Sequence, residues 1–221
     1  MKPIWKFRLL ALIIVVFVAG LSISSLVAEF LRLDPLPLPS RTSTALAPHQ
    51  ISSARQASAI APFRSDLKAE YAVALAGRTL KSEYTGRSQS DEQAQDAVKS
   101  ALKIGPHDSR MWLILALLQA RTDLGDPRIA ESLKMSYLTG PNRADLIPTR
   151  LDTVTLGQSL NDPDLKELAR GDVRVILTQF PDLRQALVND YVRGSSIGKA
   201  FLEESVRMFD PKFADSLRSA K

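Results

Sequence analysis

The stretch AVKSALKIGPHDSRMWLILALL, residues 97–118, decides the fold of this 221-residue chain. One apolar-periodic segment ends at Gly105 and Pro106, and a second one begins a few residues later, around Trp112. Apolar side chains that recur every three to four residues indicate amphipathic helices, and a Gly-Pro pair ends a helix. The stretch therefore predicts two helices joined by a short turn, which should pack antiparallel.

The same pattern of helical segments separated by helix-breaking residues continues from residue 65 to the end of the chain. Each segment carries apolar side chains at helical spacing, and glycine or proline separates the segments, as at Gly86, Gly140 and Gly194. Serine, aspartate or proline stands where a helix would begin. No segment has the sustained alternation of a β-strand bounded by hairpin turns. The sequence therefore predicts an all-α fold.

The spacing of residues around the opening turn resembles the tetratricopeptide repeat (TPR), which pairs two helices in about 34 residues. The second-helix pattern Ala-x3-Phe…Pro is matched by Ala94, Val98, Ala101 and Pro106. The first-helix pattern Trp-x2-Leu-Gly is matched by Trp112, Leu115 and Ala116 and, with a longer loop, by Val73, Ala76, Gly77 and Leu80. With one inserted residue, Leu133, Ser136 and Pro141 close the second unit; Gln119 departs where Tyr is usual. The resemblance implies a TPR-like α-solenoid over residues 65–141. The residue pattern predicts additional C-terminal helices over 142–221, which do not match the repeat.

In the TPR family the first helix of each pair lines the binding groove. The resemblance places eight residues on that face: Tyr71, Ala74, Arg78, Lys81, Arg110, Leu113, Leu117 and Arg121. Four of the eight are basic, which favours a protein partner, an acidic peptide or an acidic glycan as the ligand. The alternative is that these are ordinary solvated charges on amphipathic helices.

Residues 9–28 form an apolar segment without a charge. A helix of that length spans roughly 30 Å, the thickness of the hydrocarbon core of a bilayer, so the segment predicts a single transmembrane helix. A cleaved signal peptide is the alternative, but its apolar region is usually about 7 to 15 residues long. Basic residues at 2, 6 and 8 precede the span, which predicts that residues 1–8 are cytoplasmic and the rest lies outside.

Two features flank this anchor. Gly20, Ser24 and Ala28 recur every four residues, and such a stripe of small side chains lets two membrane helices pair into a homo-oligomer, unless the stripe is chance. Residues 29–64 contain prolines at 35, 37 and 39 and predict an extended tether. A short helix across residues 51–60 is the alternative for part of that tether.

Composition narrows the class of function. The net charge of +5 comes from residues 1–64, because residues 65–221 carry 22 basic and 22 acidic side chains. A neutral folded part argues against nucleic-acid binding. The chain has no cysteine and only two histidines, His49 and His107, so no zinc site and no cofactor are expected.

Three candidate chemistries have simpler explanations. The glycines of GSSIGKA, residues 194–200, are one residue too close for a phosphate loop, and Ala200 replaces the required hydroxyl. Asp108 and Ser109, next to His107, are expected to cap a helix rather than to form a hydrolytic triad. The acidic pairs Asp91–Glu92 and Asp162–Asp164 suit helix N-termini, and Glu203–Glu204 is expected to be solvated.

These observations lead us to expect a non-enzymatic scaffold in the bacterial inner membrane, with its C-terminal domain in the periplasm. The resemblance to anchored helical-repeat proteins implies that it organises partners of an envelope assembly or export machine, with polysaccharide export as the example. One alternative is an anchored envelope enzyme, such as a glycan hydrolase that uses a carboxylate pair. The other is a structural membrane protein that associates with itself through the Gly20–Ser24–Ala28 stripe.

Overall fold

The computed structural model describes residues 2–31, 38–39, 48–82 and 88–219. Within these residues the chain forms α-helices and short 3-10 turns and no strand, which confirms the all-α prediction. The eleven helices found there are α1 (Lys2–Phe30), α2 (Pro48–Ile60), α3 (Ser65–Lys81), α4 (Gln89–Ile104), α5 (Ser109–Thr122), α6 (Arg128–Thr139), α7 (Ile147–Leu156), α8 (Pro163–Gln179), α9 (Arg184–Arg193), α10 (Ser196–Phe209) and α11 (Pro211–Ser219).

Local hydrogen bonds explain where the helices around the opening turn begin and end. The Asp108 side chain accepts from two backbone N–H groups in the first turn of α5, as an N-cap does. The indole Nε1 of Trp112 donates to the Pro106 carbonyl at 2.8 Å and ties α5 to the turn. Helix α4 begins after Ser88, which forms a reciprocal capping box with Asp91.

The helices α3, α4 and α5 share one apolar cluster. Helix α3 packs against both α4 and α5, and α5 also packs against α4. Small side chains such as Ala76, Ala94 and Ala101 let these helices approach, while Met111 and Leu118 fill the space between them. The two apolar segments of the opening stretch therefore bury their apolar faces against each other and against α3.

The C-terminal helices are continuous with this body. Leu113 of α5 and Leu133 of α6 belong to the same buried cluster as Leu151, Val173 and Leu202 of α7, α8 and α10. Helix α7 carries a proline in its first turn, where a missing N–H costs nothing. Helix α8 runs through Gly171 without interruption.

Helix α1 is long and apolar enough to cross a membrane by length and composition. An 18-residue window within its segment Phe7–Phe30 has a mean hydropathy of 2.7, and no residue of that window is buried within the body. The end of the helix packs on the body, since Ala28 is covered by a cluster that includes Ala57, Ala61 and Leu67.

The predicted tether contains folded structure. Helix α2 occupies residues 48–60 and packs against α1 and α3, so this part of the segment is not extended. The short helix offered as the alternative for residues 51–60 is the form that the structure takes there. Residues 32–37 and 40–47 of the predicted tether lie outside the described residues.

Candidate functional site

The predicted groove face of α3 carries one line of accessible side chains. Tyr71, Arg78 and Lys81 follow each other at helical spacing on α3. Arg78 is exposed, and Tyr71 and Lys81 are half-buried. Ala74, which the resemblance assigns to the same face, is fully buried and lies beneath the surface.

On the predicted groove face of α5, more of the side chains are buried or bonded within the protein than on that of α3. Leu113 is fully buried in the core, so it cannot meet a ligand. The guanidinium Nε of Arg121 lies 3.0 Å from an Asp91 oxygen, and its Nη2 donates to the Ser82 carbonyl at 3.0 Å. Arg121 therefore holds the end of α3 to the start of α4, and Leu117 remains half-buried at the surface.

Arg110 is a partly buried cation among charged neighbours. Burial lowers the pKa of this guanidinium, and the positive charge of Arg143 acts in the same direction. The negative charges of Asp108 and Asp145 oppose that shift in pKa. Arg110 is therefore partly withdrawn from solvent, whereas Arg78 is exposed. We therefore define the α3–α5 surface as Tyr71, Arg78, Lys81 and Leu117.

A short piece of the chain lies against the α3 side of this body. Pro39 is buried, and a Cβ placed on Gly77 of α3 would lie 3.9 Å from the Pro39 Cβ. Leu38 packs against both large apolar clusters. Pro39 therefore fits against α3 at Gly77, where the helix has no side chain.

The small-residue stripe of α1 is divided by the fold. A Cβ placed on Gly20 would meet no other described atom within 4 Å, so this position is open to a second helix. Ser24 donates its hydroxyl to the Leu21 carbonyl within α1. Ala28 is fully buried by the protein's own body. Only Gly20 and Ser24 of the stripe therefore remain for helix pairing.

The residues compared with a hydrolytic triad serve the helix instead. His107 is exposed, and Asp108 accepts the backbone N–H groups of Arg110 and Met111. Ser109 is buried, and its carbonyl accepts from the Ser136 hydroxyl of α6 at 2.8 Å. The three neighbours therefore do not converge on a common point.

The segment compared with a phosphate loop is a tight helix start. The Ser195 hydroxyl accepts from the Gly198 N–H at 3.1 Å, and the Ser195 N–H donates to the Thr155 carbonyl at 2.9 Å. A Cβ on Gly198 would lie 2.1 Å from that same carbonyl oxygen. Glycine is needed at 198 because α10 abuts the end of α7, not to approach a phosphate.

The acidic pair on α10 is matched by cations. Glu203 accepts from the Tyr191 hydroxyl at 2.7 Å and from Arg218 at 2.8 Å. Glu204 accepts from Lys166 at 3.0 Å and from Arg170 at 2.7 Å. These hydrogen bonds lower the pKa of both carboxyl groups, whereas a general acid in glycan cleavage needs a raised pKa.

The acidic pairs Asp91–Glu92 and Asp162–Asp164 lie at the N-termini of α4 and α8, as predicted. Asp91 belongs to the capping box of α4, and burial opposes the lowering of its pKa by Ser88 and Arg121. Asp162 accepts from the Leu165 N–H and pairs with Lys134 at 2.6 Å, and Lys134 lowers its pKa.

A buried polar cluster that sequence reasoning misses joins α6, α7 and α8. Arg150 is fully buried and donates to the carbonyls of Ser136 and Gly140 at the end of α6. Its guanidinium carbon lies 4.5 Å from the centre of the Tyr137 ring. Burial raises the pKa of nearby Asp172 to about 6, although the Tyr137 hydroxyl and the Arg150 charge oppose this. The signal in the sequence is a charge on the apolar stripe of α7.

A second buried acid lies where α9 meets α7. Asp190 is 2% exposed, and its pKa is raised to about 7, first by burial and then by the charge of Asp152. Arg193 lies 3.3 Å from Asp190 and opposes the shift. Asp172 and Asp190 have the raised pKa of a general acid, but both are enclosed in the core, where no substrate reaches them.

Comparisons with known proteins identify no relative of this chain. No known protein family matches the chain, and neither curated proteins nor solved structures give a significant match. In the part of the chain that the structure describes, no three acidic or histidine side chains are grouped as metal ligands would be. The α3–α5 surface is the site that the geometry favours.

Proposed function

We propose that this protein is a membrane-anchored helical-repeat scaffold that binds a partner on the α3–α5 surface. In this proposal α1 holds the body at the bacterial inner membrane, with residues 1–8 in the cytoplasm and the remaining helices in the periplasm. The partner belongs to an envelope assembly or export machine, for example one that handles polysaccharide.

The observation that carries the proposal is the contact between alternate helices. Helix α3 contacts α5, α5 contacts α7, and α4 and α6 each pack against the helix that precedes them. Stacked helix pairs of this kind leave one face of each first helix aligned along a shared surface, and helical-repeat proteins bind their partners on such surfaces. The spacing match to the TPR over residues 65–141 supports the same conclusion.

The side chains on this surface indicate what the partner offers. Arg78 and Lys81 suit carboxylate groups, and Tyr71 and Leu117 suit an apolar side chain next to them. Leu38 and Pro39 of the chain itself lie against the body beside Gly77, so a peptide segment fits next to this surface. We therefore propose an extended acidic segment of a partner protein, or an acidic glycan, as the ligand.

The test is affinity capture from gently solubilised native membranes. The intact chain is compared with the double variant Arg78→Glu/Lys81→Glu, which reverses two accessible charges on one face of α3. Charge reversal should lower the amount of bound partner by about tenfold or more, because each attraction becomes a repulsion. Arg110 is left unchanged, since it is partly buried among charged neighbours.

The matched control is Lys103→Glu/Arg174→Glu, which reverses the same number of exposed charges on α4 and α8. Circular dichroism must give the same helix content for all three chains. A discrete protein or glycan that is held by the intact chain and the control, and lost by the α3 variant, supports the proposal. Equal capture by all three chains would refute the surface, and capture of nothing by the intact chain would refute the scaffold.

A further inference from the structure

Arg64 fixes the level at which the body meets α1. Its guanidinium Nη1 lies 2.8 Å from a Glu29 oxygen and 3.4 Å from the Ser25 hydroxyl, one helical turn further back. Asp66 also accepts from this guanidinium, and Asp66 and Glu29 together raise the pKa of Arg64. Arg64 therefore lies beside the last turn of α1 and remains charged.

Apolar packing lies next to this ion pair at the junction. Ala28 is fully buried by residues of α2 and α3, among them Ala57 and Leu67. Small side chains on both sides allow the helices to approach closely. The body is therefore joined to the end of α1 by apolar packing as well as by the ion pair.

Two large aromatic side chains project from the junction into solvent. Phe30 is 84% exposed and follows Glu29 directly, while Phe63 is 81% exposed and precedes Arg64 directly. Ile60, at the end of α2, is also exposed. Apolar side chains of this size cost free energy in water, so their exposure next to an apolar helix requires an explanation.

The position of these side chains along the axis of α1 indicates contact with lipid. The uncharged segment of α1 ends at residue 28, so Phe30 and Phe63 lie within about one helical turn of the hydrocarbon boundary. Aromatic side chains are favoured at that level, and a long cation beside them can reach the headgroups. A Phe-Arg pair at this height suits an interface that is apolar on one side and polar on the other.

We propose that Phe30, Ile60 and Phe63 form a second membrane contact, which seats the start of the folded body in the headgroup region of the bilayer. This proposal rests on the transmembrane role of α1 in the proposed function. Its partner is the lipid surface itself, through apolar burial and without a specific headgroup. The contact fixes the orientation of the body, so the α3–α5 surface is presented to partners at a constant height.

The absence of cysteine allows a direct test with single labels. Phe63→Cys, Phe17→Cys and Leu138→Cys are each labelled with a nitroxide in the full chain and reconstituted into phosphatidylcholine vesicles. Phe17 lies within the apolar part of α1 and is 65% exposed, and Leu138 on α6 is 67% exposed. Electron paramagnetic resonance then measures the collision rate of each label with oxygen, which enters lipid, and with a nickel complex, which stays in water.

We expect the label at 63 to meet the nickel complex at least about threefold less often than the label at 138, and oxygen more often. Equal values at 63 and 138, with a lipid signature at 17, would overturn the interfacial contact and leave the anchor standing. Low values for both reagents at 63 would mean that protein covers Phe63, which also overturns the contact. Free access of nickel to position 17 would overturn the anchor and the contact together.

Discussion

The two halves of the body hold their buried charges in different ways. In α3–α5, Asp91 has Arg121 at 3.0 Å and two further hydrogen bonds from Ser88. Among α6–α10, Arg150 is held by backbone carbonyls and an aromatic face, and one oxygen of Asp172 lacks a hydrogen-bond partner of good geometry. The first half matches its charges locally, whereas the second half leaves charge in the core that is only partly compensated.

This difference affects how each half responds to its surroundings. A matched pair at a helix end keeps its charge over a wide pH range, because each partner stabilises the ionised form of the other. An enclosed carboxyl group has a raised pKa where burial outweighs the cation beside it, as for Asp172 and Asp190. The C-terminal helices should therefore carry most of the pH dependence of stability, and mutations at their buried charges should cost the most.

The largest expected effect is at Arg150. Arg150→Met should lower the free energy of unfolding by about 3 to 5 kcal/mol, because it leaves the Ser136 and Gly140 carbonyls buried without a donor and Asp172 without a nearby positive charge. The measurement is chemical denaturation in detergent, followed by circular dichroism. Arg174→Met, an exposed change on α8, is the control and should stay within about 0.5 kcal/mol of the unmutated protein. A loss under about 1 kcal/mol at Arg150 would contradict the view that its polar contacts hold α6 to α7.

The next effect is a dependence on pH at Asp190. Its pKa of about 7 in the folded protein lies above the ordinary value near 4, so the folded state binds the proton more tightly. Its contribution to stability is complete below about pH 4 and is lost as the pH rises through 7. Between pH 5 and pH 8, Asp190→Asn should remove about 2 to 3 kcal/mol of this decline, so the variant gains on the unmutated protein at pH 8.

Unfolding curves at pH 5 and pH 8 measure this difference. The control is Asp96→Asn, which changes an exposed aspartate on α4 and should leave the pH dependence unchanged. Parallel stability curves for the unmutated protein and Asp190→Asn would show that Asp190 does not titrate in this range. The remaining decline in the variant is assigned to Asp172, whose pKa is about 6.

Local patterns in the sequence predict where the helices begin and end. They do not predict the contacts between helices that are far apart in the sequence. The cap at Asp108 and the break at Gly105–Pro106 depend on neighbours within a few residues, and the structure agrees with both. The fold of α2 on α1 depends on Ala28 meeting Ala57, a contact across 29 positions that no local pattern encodes. An extended tether was therefore predicted where a packed helix forms.

The predicted site shows the same division. Helical spacing correctly aligns Tyr71, Arg78 and Lys81 on α3, because this alignment is a property of one helix. It does not reveal that Arg121 is drawn into an ion pair with Asp91, which lies 30 residues earlier. Spacing identifies the side chains that share a face, and only the packing of neighbouring helices determines which of them stay accessible.

The smallest expected effect is at Arg121, in the α3–α5 half of the body. Arg121→Met should cost about 1 to 3 kcal/mol, less than Arg150→Met, because Asp91 keeps the Ser88 N–H at 3.0 Å and the Ser88 hydroxyl at 2.6 Å. The same denaturation experiment measures it, with Arg78→Met on the exposed face of α3 as the control. The loss should be similar at pH 5 and pH 8, since neither value approaches the lowered pKa of Asp91. A cost as large as that at Arg150 would mean that local partners do not compensate for a lost cation, and the contrast between the two halves would then fail.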